Sequence, residues 1–292
     1  MTLIALITLA GLAAEPALTT GPVEAVGEGF QFTEGPVWMP GLGLLFSDIP
    51  ADTIFKADKS EWRKPSGQSN GLTLDAQGRL LAAEHANRRV SRTEADATVI
   101  TLVDKYDGKR LNSPNDLVVR SDGTVFFTDP PYGLKGGLKG PEAELDFAGV
   151  YAVLPDGTLK VLIKDFKKPN GITLSPDEKT LYVADTEGDH IRAFDLAPDA
   201  AVSNGRVLAE VTGPDGMKTD TQGNLWCAAS DGIRIVSPAG QNLGTVPVPV
   251  QPTNCAFGDD DAQTLYITAR NAVFKVRTAV PGLRPGPKPS QP

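Results

Sequence analysis

The sequence predicts an all-β chain folded as a six-bladed β-propeller, with four antiparallel strands per blade and the ring closed by an N-terminal strand. Three observations carry this. First, one unit recurs six times: a polar residue in a Pro, Ser or Thr context, an apolar strand, a polar turn and a second apolar strand. Second, its polar positions, Glu34, Asn70, Asn115, Asn170, Asp215 and Asn254, are spaced by 36, 45, 55, 45 and 39 residues, a period that belongs to propellers and similar repeat arrays. Third, no stretch of about 12 residues shows convincing 3.6-residue apolar periodicity, so little helix is expected.

The clearest copy is LNSPNDLVVRSDGTVFFTDPPYG, residues 111–133. Its Asp122-Gly123 turn between two apolar runs is a strong hairpin signal. The other copies begin TEGPVW at 33, SNGLTL at 69, PNGITL at 169, PDGMKT at 214 and PTNCAF at 252. The sixth copy supplies strands only as far as residue 277 and then enters PGLRPGPKPSQP, where proline forbids a ladder. Residues 20–32 alternate like a strand but precede the first copy. They are therefore expected to complete the sixth blade, bringing both ends of the ring into one sheet and removing an open edge. The resulting organisation is a signal peptide at 1–14, a propeller at 20–277 and a Pro-rich disordered tail at 278–292.

The longest interval, Asn115 to Asn170, has its surplus at residues 130–147, a Gly- and Lys-rich stretch without strand pattern. Such insertions serve as lids or binding loops, or as solvated excursions. Antiparallel connection returns each second strand to the face where the first began. Asp48, Glu84, Asp129 and Asp185, 14 or 15 residues after a repeat position, should end near one mouth, rimmed also by His85, Tyr132 and the 130–147 loop.

Net charge is −8 with a pI near 4.9, which leaves no basic surface for phosphates and speaks against nucleic acid as a partner. A mean hydropathy of −0.15 suits a soluble globular fold. The opening MTLIALITLAGLAA is apolar and ends in small residues, like a secretory signal, although it lacks a basic n-region. It is too short to span a bilayer. The expectation is a periplasmic or secreted protein, with a cytoplasmic one as the alternative. Cys227 and Cys255 read as small buried hydrophobes; export would leave a disulfide between them open.

Six strand starts on one axis place two carboxylates and four amides around a channel. Glu34 and Asp215 buried unpaired would cost several kcal/mol, of order 3–5 as for a broken buried ion pair. No Lys or Arg occupies an equivalent position. A divalent cation balances the two charges, and an oxygen-only ligand set favours Ca²⁺ or Mg²⁺ over zinc. Asn and Asp between Pro and Gly are also ordinary turn residues, and this stays open for Asn70 and Asn254. It does not explain the glutamate of Glu34-Gly35-Pro36.

TEGPVW (33–38), SPND (113–116), PNGITLSPDEKTLYVAD (169–185) and PDGM (214–217) together resemble the senescence-marker-protein/gluconolactonase (regucalcin-like) family, the bacterial gluconolactonase branch in particular. The resemblance covers residues 20–277. It implies a six-bladed propeller that opens a sugar lactone, with Ca²⁺ as the first choice of cation and Mg²⁺, Mn²⁺ or Zn²⁺ as alternatives. It further implies Glu34, Asn170 and Asp215 as metal ligands, and Asn115 as a contact to metal or substrate. Animal members carry a substrate-holding arginine where this chain has Ser113, so sugar recognition by that route is not expected.

On this reading the cation polarises the lactone carbonyl for attack by water. Asp215 and Asn115 are the catalytic candidates, with Asp215 or the metal-bound water as base. Glu84, Asp129 and Asp185 are weaker candidates, since their recurrence points to a hydrogen-bonding role within blades. Asn70, His85, Asp129, Tyr132 and Asn254 are the mouth residues, and His85 receives no proton-transfer role. No Gly-x-Ser-x-Gly elbow is present. Two other functions compete: hydrolysis of organophosphorus or other esters at the same site, as in the similar diisopropyl fluorophosphatase, and a non-catalytic binding platform.

Overall fold

The computed structural model describes residues 18–286. The signal-like segment 1–14 lies outside the described residues, as does the end of the tail, 287–292. Six four-stranded antiparallel sheets form the ring. Their inner strands are Thr33–Met39, Ser69–Leu74, Leu117–Val119, Pro169–Leu174, Met217–Thr219 and Asn254–Gly258, and they define blades 1 to 6. Every repeat position falls at or within two residues of the start of its inner strand. Among the described residues the one helical element is a short 3-10 turn, Gly137–Lys139.

The ring closes as the alternation of residues 20–32 predicts. Glu24–Glu28 is the outermost strand of blade 6 and pairs antiparallel with Ala272–Arg277, Glu24 opposite Lys275. Six apolar clusters hold the ring, each shared by two adjacent blades. Trp226 and Ile235 of blade 5 meet Phe257 and Ile267 of blade 6, and the closing interface packs Leu44 and Phe46 against Tyr266 and Val273. A buried side chain of this size contributes roughly 1.5–3 kcal/mol relative to exposure. The core is thus six seams around an axis that the apolar residues leave to polar ones.

The blades also interlock at the axis. Gly35, at φ +47°, lies so close to blade 2 that a methyl group there would strike the Asn70 carbonyl. Gly71 and Gly171 make the same approach to the next repeat position, Asn115 and Asp215. Hydroxyls staple the neighbours: Ser47 Oγ donates to the Asn70 carbonyl and Thr128 Oγ1 to the Asn170 carbonyl, both at 2.8 Å. Thr253 Oγ1 donates to the Thr33 carbonyl across the closure, also at 2.8 Å.

The tail differs from expectation over its described part. Residues 278–286 follow a defined path over the face opposite the mouth. Gly282 bridges to Asp220, Leu283 N–H donates to the Thr219 carbonyl at 2.9 Å, and the Arg284 guanidinium donates to the Asp259 and Asp260 carbonyls. Proline keeps this segment out of a ladder, yet its remaining backbone groups find partners at strand ends. Leu283, Arg284 and Pro285 roof a cavity of about 150 Å³ at the far end of the channel, with Lys218 in its wall.

Candidate active site

The repeat positions converge on the axis. Glu34 is buried, and its Oε2 accepts the Gly35 N–H at 2.9 Å. Burial pushes its carboxyl up to about 7, with repulsion from Asp116 adding to the rise; Gly35 and the Asn254 amide counter it. Asp215 is raised well above the usual carboxylate range by burial, then by the charges of Glu34 and Asp116. The charge of Glu34 in blade 1 is thus felt at Asp215 in blade 5.

A third acid and one base were not expected. Asp116 is fully buried, and its Oδ2 lies 3.5 Å from Lys218 Nζ, which also donates to the Met217 carbonyl at 3.1 Å. The expectation of two uncompensated carboxylates at the axis is thus corrected to three carboxylates with one ammonium. The sequence held the signal: Glu34, Asn70, Asn170 and Asp215 are each followed by glycine, whereas Asn115 is followed by Asp116. Lys218 is three residues beyond Asp215 on the same channel-lining segment. With all three acids ionised these four side chains carry a net charge of −2.

The amides divide by orientation. Asn170 Nδ2 donates to Thr186 Oγ1 at 3.0 Å, and that hydroxyl donates to the Pro214 carbonyl at 2.7 Å. The Asn170 amide nitrogen is thus held by the blade, and the same amide also steadies the ionised Asp215 carboxylate. Asn254 does the reverse: its Oδ1 accepts the Cys255 N–H at 2.8 Å, and its amide lowers the Glu34 carboxyl instead. Asn254 therefore serves Glu34 rather than offering an oxygen. Asn115 is buried beside Asp116, anchored by its N–H to the Thr128 carbonyl at 2.8 Å.

Asn70 and His85 pack together, and Tyr132 approaches Asn170. Asn70 Nδ2 is 3.4 Å from His85 Nε2, and burial pulls the imidazole down to about 4, so it is neutral at pH 7. Tyr132 is 40% exposed, its hydroxyl 3.5 Å from Asn170 Nδ2 and its ring under the Lys168 ammonium at 5.3 Å. Asp129 is fully buried, and its Oδ2 accepts the Asn112 N–H at 2.8 Å. Asp48 accepts Gln31 and Phe32 N–H groups, and Asp185 accepts those of Lys167 and Lys168. These acids tie down the backbone two or three residues before each repeat position. Glu84 instead binds Arg63, Arg89 and Ser91. They hold the blades together, and Asp129 is corrected from mouth to frame.

Ser113 is spoken for. It is fully buried, donating to the Pro130 carbonyl at 2.6 Å and accepting the Gly133 N–H at 2.8 Å. It pins the start of the 130–147 loop rather than reaching a ligand. Arg88 holds the far part of that loop through the Glu142 carbonyl at 2.8 Å. Cys227 and Cys255 are both free and buried.

Among the described residues no group of three or more His, Cys, Asp or Glu side chains has metal-site geometry. The donors present are mixed carboxylate and amide oxygens, the chemistry of a hard cation. No described helix is long and apolar enough to cross a membrane.

A family profile described as SMP-30/Gluconolactonase/LRE-like region matches residues 32–271. The chain is 37% identical to a gluconolactonase from Zymomonas mobilis over 290 residues, covering 88% of this chain and 81% of that protein. It is 30% identical to regucalcin from Sus scrofa over 256 residues, covering 80% and 82%. Its fold superposes on the structure of a Xanthomonas campestris gluconolactonase with a TM-score of 0.83 at 35% identity, covering 92% and 93% of the chains.

Proposed function

The chain belongs to the SMP-30/gluconolactonase/LRE-like family, and on that premise we propose that it hydrolyses a lactone at the mouth around Glu34, Asn170 and Asp215. The observation that carries this reading is the charge of the site: three buried carboxylates against one ammonium, at the end of a channel lined by amides. A structural core gains nothing from that excess. Relatives named gluconolactonase supply the substrate class.

Glu34 and Asp215 would hold a divalent cation with the Asn170 amide oxygen, and Asn115 lies beside them. Bound there, such a cation would supply Lewis-acid polarisation of the ester carbonyl. Ca²⁺ is the ion this oxygen set favours.

The chain's own residues do the rest. Asp215 takes the proton of the attacking water, the role of a carboxylate within hydrogen-bond reach of it. As the carbon–oxygen bond to water forms and the ring ester bond breaks, the ring oxygen leaves as an alcohol with a proton regained from the site. Asn115, buried beside Asp116, would donate its amide to the substrate. Asp116, held by Lys218, keeps the local field negative. Tyr132 and the 130–147 loop wall one side of the mouth and restrict water.

The test is hydrolysis of glucono-1,5-lactone before and after exhaustive chelation, with Ca²⁺, Mg²⁺, Mn²⁺ and Zn²⁺ added back singly. Activity lost on chelation and restored by a divalent ion is the expected result. Full activity in the chelated protein with no metal by mass spectrometry refutes the cation. The export reading of residues 1–14 is checked separately by the N-terminal mass of the protein made from the full gene.

A further inference from the structure

One buried acceptor at the mouth has no use in the scheme above. Asn70 is 3% exposed, and among the described residues its Oδ1 has no hydrogen-bond partner. A buried acceptor without a donor is rare and calls for one from outside the chain. We propose that Asn70, oriented by His85, is the subsite for a hydroxyl group of the substrate, which makes this chain selective for polyhydroxylated lactones over plain ones. The proposal rests on the lactonase reading and names its substrate class.

The orientation follows from the neighbours. The Asn70 amide nitrogen faces His85 Nε2 at 3.4 Å, and the imidazole tautomer protonated on Nδ1 accepts there. This directs the opposite end of the amide, the oxygen, away from the ring. His85 cannot easily yield, because the pinned loop start packs on it: a methyl on Gly133 would lie 3.1 Å from His85 Cβ and 2.8 Å from Ser113 Cβ. The chain of support runs from the Ser113 hydroxyl, through the Pro130–Gly133 turn, to His85 and then to the Asn70 amide. The backbone of Asn70 is fixed too, its carbonyl accepting Ser47 Oγ at 2.8 Å.

A fixed amide oxygen accepts and never donates, so it selects ligands carrying O–H or N–H. The blade 2 position sets Asn70 between Glu34 of blade 1 and Asn115 of blade 3. Asn70 is therefore the acceptor neighbouring Glu34 on the side away from Asp215. An unsubstituted lactone leaves the Asn70 oxygen unpaired and dry. Sites that hydrogen-bond a substrate hydroxyl reject analogues lacking it for this reason.

The experiment compares kcat/KM for glucono-1,5-lactone and for δ-valerolactone, which has the same ring without hydroxyls, in the wild type, Asn70→Ala and Asn70→Asp. The expected result is a ratio that falls by about 10- to 100-fold in Asn70→Ala, mainly through KM for the hydroxylated lactone, and is kept to a greater extent by Asn70→Asp, which retains an acceptor. An equal loss on both lactones, or no change in the ratio, overturns the proposal. If Asn70→Ala fails to fold by circular dichroism, His85→Phe replaces it: freeing the amide must lower the same ratio, and an unchanged ratio overturns the proposal. If the wild type hydrolyses neither lactone, the lactonase reading falls by itself. The subsite is then judged by calorimetry with 1,5-anhydroglucitol, a non-hydrolysable polyol ring. Binding by the wild type that Asn70→Ala lacks supports the subsite, and no binding by the wild type overturns it.

Discussion

Replacing Glu34 by glutamine should strengthen the metal-free fold while destroying the site. Folding raises the Glu34 carboxyl from 4.5 to about 7, so the folded chain holds that proton more tightly than the unfolded chain. Stability from this group is therefore fully present below pH 4.5 and is lost as pH rises through about 7. The gap is worth about 3 kcal/mol at pH 8. Glutamine carries no charge, and it removes a repulsion from Asp215 as well. Metal-free Glu34→Gln should melt roughly 5–10 °C above the metal-free wild type at pH 8, the difference vanishing near pH 4.5. Excess Ca²⁺ should reverse the order, raising the melting point of the wild type and leaving the variant unmoved. The assay is thermal unfolding from pH 4 to 8.5, with chelator and with Ca²⁺. A metal-free variant no more stable than the wild type at pH 8 refutes the argument that this carboxylate is buried against its own preference. A variant that keeps the full Ca²⁺ shift refutes Glu34 as a ligand.

Three further perturbations read other parts of the site. Asp215→Ala should lower kcat for lactone hydrolysis by 100-fold or more, on the order of a lost general base, and should reduce bound cation measured by mass spectrometry; full activity with unchanged cation content removes Asp215 from the mechanism. Lys218→Met strips the buried Asp116 of its counter-charge at 3.5 Å and should destabilise the metal-free protein by about 3 kcal/mol in urea unfolding, with added Ca²⁺ recovering part of the loss. Ser113→Ala removes the hydroxyl that holds Pro130 and Gly133; it should cost about 1–3 kcal/mol and speed hydrogen exchange in residues 130–147 while leaving blades 4 to 6 unchanged.

The ring was legible because its signals are local. Turn, strand and polar turn repeat within some 15 residues, and the Pro-rich end at 278 shows where blade 6 runs out of strands. The axis was legible only where blades agree. Comparing equivalent positions picked out Glu34 and Asp215 but passed over Asp116, which stands where four other blades have glycine, and Lys218, which has no equivalent to be compared with. Asp129 was misplaced because a strand-end position fixes where a side chain starts, not where it points. Its carboxylate turns back to the Asn112 N–H, as Asp48 and Asp185 turn back in their blades. The orientations of Asn170 and Asn254 depend on Thr186 and on the Cys255 N–H, and nothing in a linear pattern distinguishes one asparagine from the other. The path of residues 278–286 rests on backbone bonds to blades 5 and 6, which composition does not encode.

The pairing of Glu24–Glu28 with Ala272–Arg277 sets an order of events for synthesis. Of the ring's strands, the first to be made is given its partner by the last. Until then the growing sheet array is an open arc with an unpaired flank at each end, the situation in which nascent β-proteins stick to one another. A nonsense mutation ahead of residue 272 would consequently lose more than one strand: it would leave a clasp with nothing to fasten to, and five blades that cannot shut.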